Sequence, residues 1–287
     1  MTQQSIIADE RAADGGQVTI ETSAAVLKPA LPLITALDYE CKLDIDEGGL
    51  STVLVDPPNI SLLSLAIPAE AFDSFDCDDE MLVGLRVDQL KKRLHNSRSR
   101  GDADDLTLTL DSQHARLDIE REYETADATW THQFRTIDPD SVRQQPELPP
   151  DELIEASVDL DLAALVDVFS SLDEFTDYVE ITAIDRDIRM SAKETRDEGD
   201  ERITTQQTDV VFEDVLSESV DEMISLFSLE YLTSMVSALK KARVETVTLG
   251  LGDGVPAFLN FEREKDGQVL YSGQYALAPR VRGDADE

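Results

Sequence analysis

The sequence predicts a duplicated α+β domain in which helices pack on one face of a mainly antiparallel sheet. Three observations support this fold class: short strands with alternating apolar residues, a helix-then-strand order that recurs about 140 residues later, and a proline-rich segment between the halves. VDQLKKRL precedes DLTLTL in the first half, and LEYLTSMV precedes ETVTLGL in the second. AAVLKPAL before CKLDI likewise matches LAALVDVF before YVEIT.

The elements of the first half follow one another closely. Two helical patterns occur there, one near 24–38 and one in VDQLKKRLHNSR, where Val87, Leu90 and Leu94 share a face. The first pattern contains Pro29 and Pro32, so we expect that helix to begin late, with Pro29 near its first turn, or to be irregular. The predicted strands are QVTIET, CKLDID, GLSTVLVD, SLLSLAIP, MLVGLRV, DLTLTLD, ARLDIERE and TWTHQF.

The second half repeats this order. The helix DLAALVDVFSSLDEF is followed by the strands YVEITAID, IRMSAKE, RITTQQTD and MISLFS. The helix LEYLTSMVSALKKA is followed by the strands ETVTLGL, AFLNFERE and VLYSGQYAL. We therefore expect a flexible extension over 1–16, a first domain over 17–137, a linker over 138–154, a second domain over 155–282 and a tail over 283–287.

The charge balance is strongly acidic, with 61 Asp and Glu against 25 Lys and Arg and a net charge of -36. The acids are spread through strands, helices and turns, which is typical of a salt-adapted protein, because molar salt shortens the Debye length to about 3 Å and screens their repulsion. The alternatives are an acidic partner for a basic protein, or a DNA mimic. The chain lacks both a signal-peptide pattern and a run of about 20 apolar residues, so we expect a cytoplasmic protein with Cys41 and Cys77 as reduced thiols.

Catalytic motifs are missing from the sequence. It contains no GxxxxGK[ST], GxGxxG, GxSxG or HExxH pattern, and its three histidines are far apart. The acidic run from Asp76 to Glu80 lacks the spacing of a calcium loop, so we interpret it as a solvated turn. We expect no enzymatic activity, no cofactor and no metal site.

Basic residues concentrate in two places. The first is a basic island in which Asp88 is the only acid, formed by Arg86, Lys91, Lys92, Arg93, Arg98 and Arg100. The second consists of Lys240, Lys241 and Arg243 at the end of the matching helix. A helix dipole favours cations at a C-terminus and can account for the second group, but it accounts poorly for six cations within 86–100. We interpret the first island as a phosphate-binding surface; since no aromatic residues interleave with it in sequence, backbone contact is expected and base stacking is not.

Four segments resemble the PCNA family of DNA sliding clamps, especially its haloarchaeal members. They are CKLDIDEGGLSTVLVDPPNISLLSLAIPAEAFDSFDC, RTIDPDSVRQQPELP, SLFSLEYL and YALAPRV. The resemblance implies a sliding-clamp fold, a homotrimeric ring with helices lining a central hole around duplex DNA, and a processivity role in DNA replication and repair. It also implies a clamp loader, a DNA polymerase, a flap nuclease and a ligase as partners, the client proteins binding through a PIP-box-like peptide. Asp161, Asp167 and Asp173 occupy helix positions where the family usually has some basic residues, so we expect a less positive hole.

The resemblance also implies a peptide groove and a subunit contact. The groove would be formed by Val55, Asn59, Ile60, Leu62, Leu148, Pro149, Leu153, Pro256, Ala276, Ala278 and Pro279. The strands alone leave a second interpretation open, in which Val55, Ile60 and Leu62 are ordinary core. The subunit contact would join two edge strands through Trp130, His132, Ile203 and Thr205. The alternative function is that of an acidic clamp-fold protein that binds partners without encircling DNA.

Overall fold

The structure is a computed structural model and describes residues 16–95, 104–123, 127–173, 176–198 and 201–280. The chain divides into two compact units. Unit 1 comprises the described residues up to Pro57 together with 63–147 and 262–273. Unit 2 comprises 58–62, 148–261 and the described residues from 274 onward. The division therefore falls within the predicted linker, between Glu147 and Leu148.

The described part of unit 1 contains two α-helices and two groups of strands. In chain order its elements are β1 (Gln17–Ser23), α1 (Ala24–Thr35), β2 (Glu40–Asp46), β3 (Gly49–Val55), β4 (Ser61–Pro68), β5 (Ser74–Cys77), β6 (Met81–Arg86), α2 (Val87–His95), β7 (Asp105–Asp111), β8 (Arg116–Glu122) and β9 (Thr129–Arg135). One sheet has the order β5-β1-β7-β8-β9, and a second group has the order β4-β3-β2-β6. The described pairings of β1, β2, β7 and β8 are antiparallel.

Unit 2 repeats this plan. Its elements are β10 (Ala156–Asp161), α3 (Leu162–Asp173), β11 (Tyr178–Asp185), β12 (Asp187–Glu198), β13 (Glu201–Phe212), β14 (Val220–Ser228), α4 (Leu229–Lys241), β15 (Thr246–Leu251), β16 (Ala257–Lys265) and β17 (Gln268–Leu277). One sheet has the order β13-β12-β11-β14, and a second group has the order β10-β15-β16-β17. The first two residues of β4 belong to unit 2, whereas the end of β16 and the first half of β17 belong to unit 1.

Alternation of apolar residues explains how each unit builds its core. Along β7, Leu106, Leu108 and Leu110 are buried while the residues between them are more accessible. This period of two directs one face of the sheet toward the helices. In unit 2, Leu162, Leu165 and Phe169 follow the helical period on the buried side of α3.

The expectation for the first helix was wrong. Helix α1 begins at Ala24, and both Pro29 and Pro32 lie inside it. A proline in a helix interior costs about 3 kcal/mol, because it removes one backbone donor and crowds the preceding turn. Ten of the twelve residues of α1 are buried, so tertiary packing outweighs this local cost.

Two strands were not anticipated from the sequence. The four-residue β5 pairs with β1, and its SFDC sequence is too short and too polar to show a period. β10 alternates between buried and exposed residues along its whole length. It was missed because it directly follows the proline-rich segment and runs into α3 without a turn.

Candidate surfaces for DNA, peptide and subunit contacts

The first basic island divides between a strand and a helix. Arg86 ends β6 and forms an ion pair of 3.0 Å with Glu40. Lys91 donates from Nζ to Thr35 Oγ1 at 2.6 Å, which links α2 to the last residue of α1. Lys92 pairs with Asp88 at 2.9 Å and is 71% exposed. These three cations lie in one corner of unit 1. Exposed ion pairs of this kind contribute little to the stability of the fold.

The remaining members of this island are Arg93, Arg98 and Arg100. Arg93 is exposed on α2, and its positive charge acts with burial to lower the pKa of His132. Burial is the larger cause of that shift. Arg98 and Arg100 lie outside the described residues.

The far end of α2 is held by a buried ion pair. Arg121 Nε donates to Asp104 Oδ2 at 2.6 Å, and both side chains are almost completely buried. Arg121 also donates from Nη1 to the carbonyl of Leu94 at 3.4 Å, near the end of α2. The Asp104 carbonyl accepts a hydrogen bond from the Ala24 amide, which begins α1. One ion pair therefore fixes an end of each helix in unit 1.

The second basic group closes α4 through a Schellman motif. The Val244 amide donates to the Leu239 carbonyl and the Arg243 amide to the Lys240 carbonyl. Arg243 has a φ of 59°, which is the left-handed conformation that glycine usually provides at this position. Lys240, Lys241 and Arg243 are all exposed, so their side chains are available to solvent in unit 2.

Most of the predicted groove residues belong to unit 2. Ile60 is 39% exposed and Leu148 is 47% exposed, which is unusual for aliphatic residues within one compact unit. Leu62 and Ala276 are buried, so they are core residues and not part of an accessible groove surface. Asn59 is exposed, whereas the others are intermediate: Pro149, Leu153, Pro256, Ala278 and Pro279. Val55 is also intermediate and lies in unit 1.

The segment after β17 is held in place by backbone and aromatic contacts. The Ala278 amide donates to the Ile60 carbonyl at 2.9 Å, which joins two predicted groove segments directly. Two residues later, the Arg280 amide donates to the Leu226 carbonyl, and its guanidinium lies 4.2 Å from the centre of the Tyr178 ring. Arg280 and Tyr178 thus position Ala278 and Pro279, a role that the sequence did not reveal.

Strand β9 forms one edge of the first sheet in unit 1. Trp130 stacks on His132 with ring centres 5.3 Å apart, and His132 meets Phe134 edge to face at 4.4 Å. Their cross-strand partners, including Ile119, lie on the buried face of β8. Two of the four residues predicted at the subunit contact, Trp130 and His132, therefore belong to an aromatic row on an edge strand.

The backbone of β9 identifies further residues at this edge. Hydrogen bonds from Thr136 to the Ala115 carbonyl and from Tyr123 to the Ala128 carbonyl fix the alternation of the β8–β9 ladder. Since antiparallel pairs alternate between bonded and non-bonded, Trp130 and His132 direct their backbone groups toward β8. Thr131 and Gln133 then direct theirs to the open edge. The sequence prediction named Trp130 and His132, whose side chains belong to the aromatic row. It missed Thr131 and Gln133, whose backbone groups point to the open edge.

Strand β13 forms an edge of the second sheet and contains a bulge. The register shifts between the Glu194–Gln206 and Thr195–Thr204 pairs, which leaves Thr205 as the extra residue. Its hydroxyl donates to the Glu194 carbonyl at 3.2 Å. Ile203 pairs with Arg196 in the backbone register. Bulges bend an edge strand and limit unwanted pairing. The bulge therefore restricts which strands can pair with the edge of β13.

Other chemistry is not indicated in the part of the chain that the structure describes. No group of three metal-ligating side chains occurs there. Burial raises the pKa of the Cys41 thiol to about 12, which leaves it protonated and unreactive. None of the described helices is long and apolar enough to cross a membrane.

Comparison with known proteins identifies the class of this fold. The PCNA complex described as "C-terminal region of FEN-1 bound to A. fulgidus PCNA" superposes with a TM-score of 0.71 over 93% of this chain and 100% of that one, at 23% identity. The family model for the N-terminal domain of proliferating cell nuclear antigen matches residues 19–143. The fold is thus a duplicated sliding clamp, as the sequence predicted.

The relatives define the family more narrowly. The DNA polymerase sliding clamp of Natronomonas pharaonis is 32% identical over 268 residues, covering 91% of this chain and 98% of the relative. That of Haloarcula marismortui is 30% identical over 278 residues, with the same coverage. The chain therefore belongs to the DNA polymerase sliding clamp family. The predicted resemblance to haloarchaeal clamps is confirmed.

Proposed function

We propose that three copies of the chain close head to tail into a ring that encircles duplex DNA and holds replication and repair proteins at the template. The observation that carries this proposal is the presence of a long edge strand in each unit, β9 in unit 1 and β13 in unit 2. Two different edges on one chain allow a heterologous contact, and such a contact generates a closed ring when the rotation permits. The ring retains DNA by topology, so it needs little direct affinity.

We further propose that the clamp has no catalytic activity and acts in the cytoplasm, where an archaeal chromosome is replicated. Its partners would be the DNA polymerase, the clamp loader that opens the ring, a flap nuclease and a ligase. The solved relative with a bound FEN-1 segment supports peptide binding of this kind. The exposed Ile60 and Leu148 in unit 2 support the same location for the groove.

Molar mass in high salt tests the ring. Light scattering should give three times the 31.8 kDa of the chain. A mass that stays at one chain across protein and salt concentrations would instead support an acidic clamp-fold protein that binds partners without encircling DNA.

A proline at the open edge of β9 tests how the ring closes. Thr131→Pro removes an amide that points away from β8, so unit 1 should keep its fold while the trimer dissociates at least tenfold more readily, since one contact is lost and a proline ring is inserted. Thr131→Ala retains the amide and should remain trimeric. Equal masses for the two variants at every concentration would contradict closure through β9.

Replacement of the groove leucines tests peptide binding. Leu148→Ala with Leu153→Ala should weaken binding of a peptide that carries two adjacent aromatic residues by a few kcal/mol if both leucines contact it. Isothermal titration measures the affinity. Ile184, exposed elsewhere in unit 2, provides the control variant Ile184→Ala. An unchanged affinity in the double variant would remove these leucines from the groove.

A further inference from the structure

Tyr39 is an exposed aromatic residue at the corner between the two helices of unit 1. Its side chain is 64% exposed, although a tyrosine ring usually buries most of its area. The position of its backbone is well fixed, because its amide donates to Asp38 Oδ1 at 2.6 Å and its carbonyl accepts from the Val87 amide at 2.9 Å. The backbone from which the exposed ring projects is therefore held beside the first residue of α2.

Cations of the first basic island contact residues that flank this position in the sequence. Glu40, the neighbour of Tyr39, pairs in register with Arg86. Lys91 reaches Thr35, four residues before Tyr39. Lys92 is highly exposed one turn along α2 from Asp88. We call Tyr39, Arg86, Lys91 and Lys92 the Tyr39 corner.

The charge of this corner differs from that of the chain as a whole. Its nearby acids are Asp38, Glu40 and Asp88, and each already accepts a hydrogen bond or an ion pair. The three cations of the corner, Arg86, Lys91 and Lys92, balance these three acids, so the surface is close to neutral on a chain with a net charge of -36. A polyanion therefore meets less repulsion here than the average surface would impose.

We propose that Tyr39 contacts the phosphate backbone of duplex DNA, its phenol hydroxyl donating to a phosphate oxygen while Arg86 and Lys92 neutralise neighbouring phosphates. This inference rests on the proposed function and adds a residue to it. Tyrosine hydroxyls are among the usual phosphate donors, and paired bases offer no free face for ring stacking. The Tyr39 hydroxyl is a neutral donor, so its hydrogen bond to a phosphate releases no counterion. Its contribution persists in molar salt, where the contribution of the cations falls steeply.

Fluorine NMR tests the contact directly. The chain has six tyrosines, so uniform 3-fluorotyrosine labelling gives few signals, and Tyr39→Phe identifies that of Tyr39. A short linear duplex should shift the Tyr39 signal at about 0.5 M and still at about 2 M KCl. The signal of the buried Tyr275 serves as the internal control. An unshifted Tyr39 signal at saturating duplex overturns the inference.

Variants separate the hydroxyl from the ring and from the cations. Tyr39→Phe and Tyr39→Ala should weaken duplex binding by the same factor, about threefold, without changing its salt dependence. Lys92→Gln should lower the slope of log affinity against log salt by about 1. Lys265→Gln, at an exposed position in β16, should do neither. If Tyr39→Phe binds like the wild type, the hydroxyl makes no phosphate contact, and a loss confined to Tyr39→Ala would indicate ring stacking instead; either result overturns the proposal.

The outcome is distinguishable from that of the ring proposal. A trimer that loads on circular DNA with an unshifted Tyr39 signal leaves the ring intact and removes this contact. A chain that remains monomeric but shows the Tyr39 shift on linear duplex retains the contact and loses the ring.

Discussion

Helices α2 and α4 occupy corresponding places in the two units and carry the two basic groups, yet their ends are held by different means. The end of α2 depends on a buried ion pair whose members, Arg121 and Asp104, lie outside the helix. The end of α4 is closed by its own Schellman hydrogen bonds. The duplicated plan thus fixes where a helix lies, while long-range contacts in one unit and local contacts in the other fix how it ends.

The basic side chains differ in the same way. Lys240 and Lys241 occupy the last turn of α4, where the helix dipole favours cations. In unit 1, Arg86 precedes α2 and Lys91 is bound to the end of α1, so the dipole explains neither. α3 presents exposed Asp167 and Asp173 in place of cations. We therefore expect DNA contact to concentrate in unit 1.

The largest expected effect comes from the ion pair at the end of α2. Arg121→Met removes the partner of a buried carboxylate and should lower the free energy of unfolding by about 3–5 kcal/mol. Denaturant unfolding in high salt measures it. Arg121→Met combined with Asp104→Leu should recover most of the loss, since no charge remains buried. A loss below about 1 kcal/mol in the single variant would contradict the comparison.

Charge reversal on the two helices gives the next effect. Lys92→Glu with Arg93→Glu should weaken duplex binding about tenfold, and Lys240→Glu with Lys241→Glu by a smaller factor. Polymerase stimulation on primed circular DNA should follow the same order, with the trimer mass unchanged in both variants. If the two pairs had equal effects, the basic island of unit 1 would be no more than a solvated helix end.

The smallest effect concerns the capping residue of α4. Arg243→Gly should raise the free energy of unfolding by about 1 kcal/mol, because glycine adopts the left-handed conformation without the steric cost that other residues incur. The same unfolding experiment measures it. A neutral or destabilising result would show that the arginine side chain contributes more in the folded protein than its backbone strain costs.

The sequence predicted the elements that have a strong period and missed those set by distant partners. α4 and β7 carry an uninterrupted apolar pattern and were placed correctly. α1 was expected to begin late or to be irregular because its two prolines have a known local cost. The sequence pattern does not show that this helix is buried. β5 is too short for any period to be detected.

The same limit applies to the candidate surfaces. A concentration of cations in sequence identified the first basic island, but Tyr39 is brought beside it by long-range contacts, among them the hydrogen bond from the Val87 amide to its carbonyl. Thr131 and Gln133 follow from the alternation of a ladder whose phase the sequence does not contain. Arg280 lies in the YALAPRV segment, but its contact with Tyr178 joins residues about 100 positions apart in the sequence.

The open edge of β9 also bears on which chains can share a ring. Amide and carbonyl groups, such as those of Thr131 and Gln133, are common to every polypeptide, so pairing through them would not distinguish one neighbouring strand from another. In a cell that makes two related clamps, discrimination between self and paralogue then falls to the aromatic row of Trp130, His132 and Phe134. If the ring closes through β9, we expect divergence of these three side chains and of the strand that they face to keep two populations of rings separate.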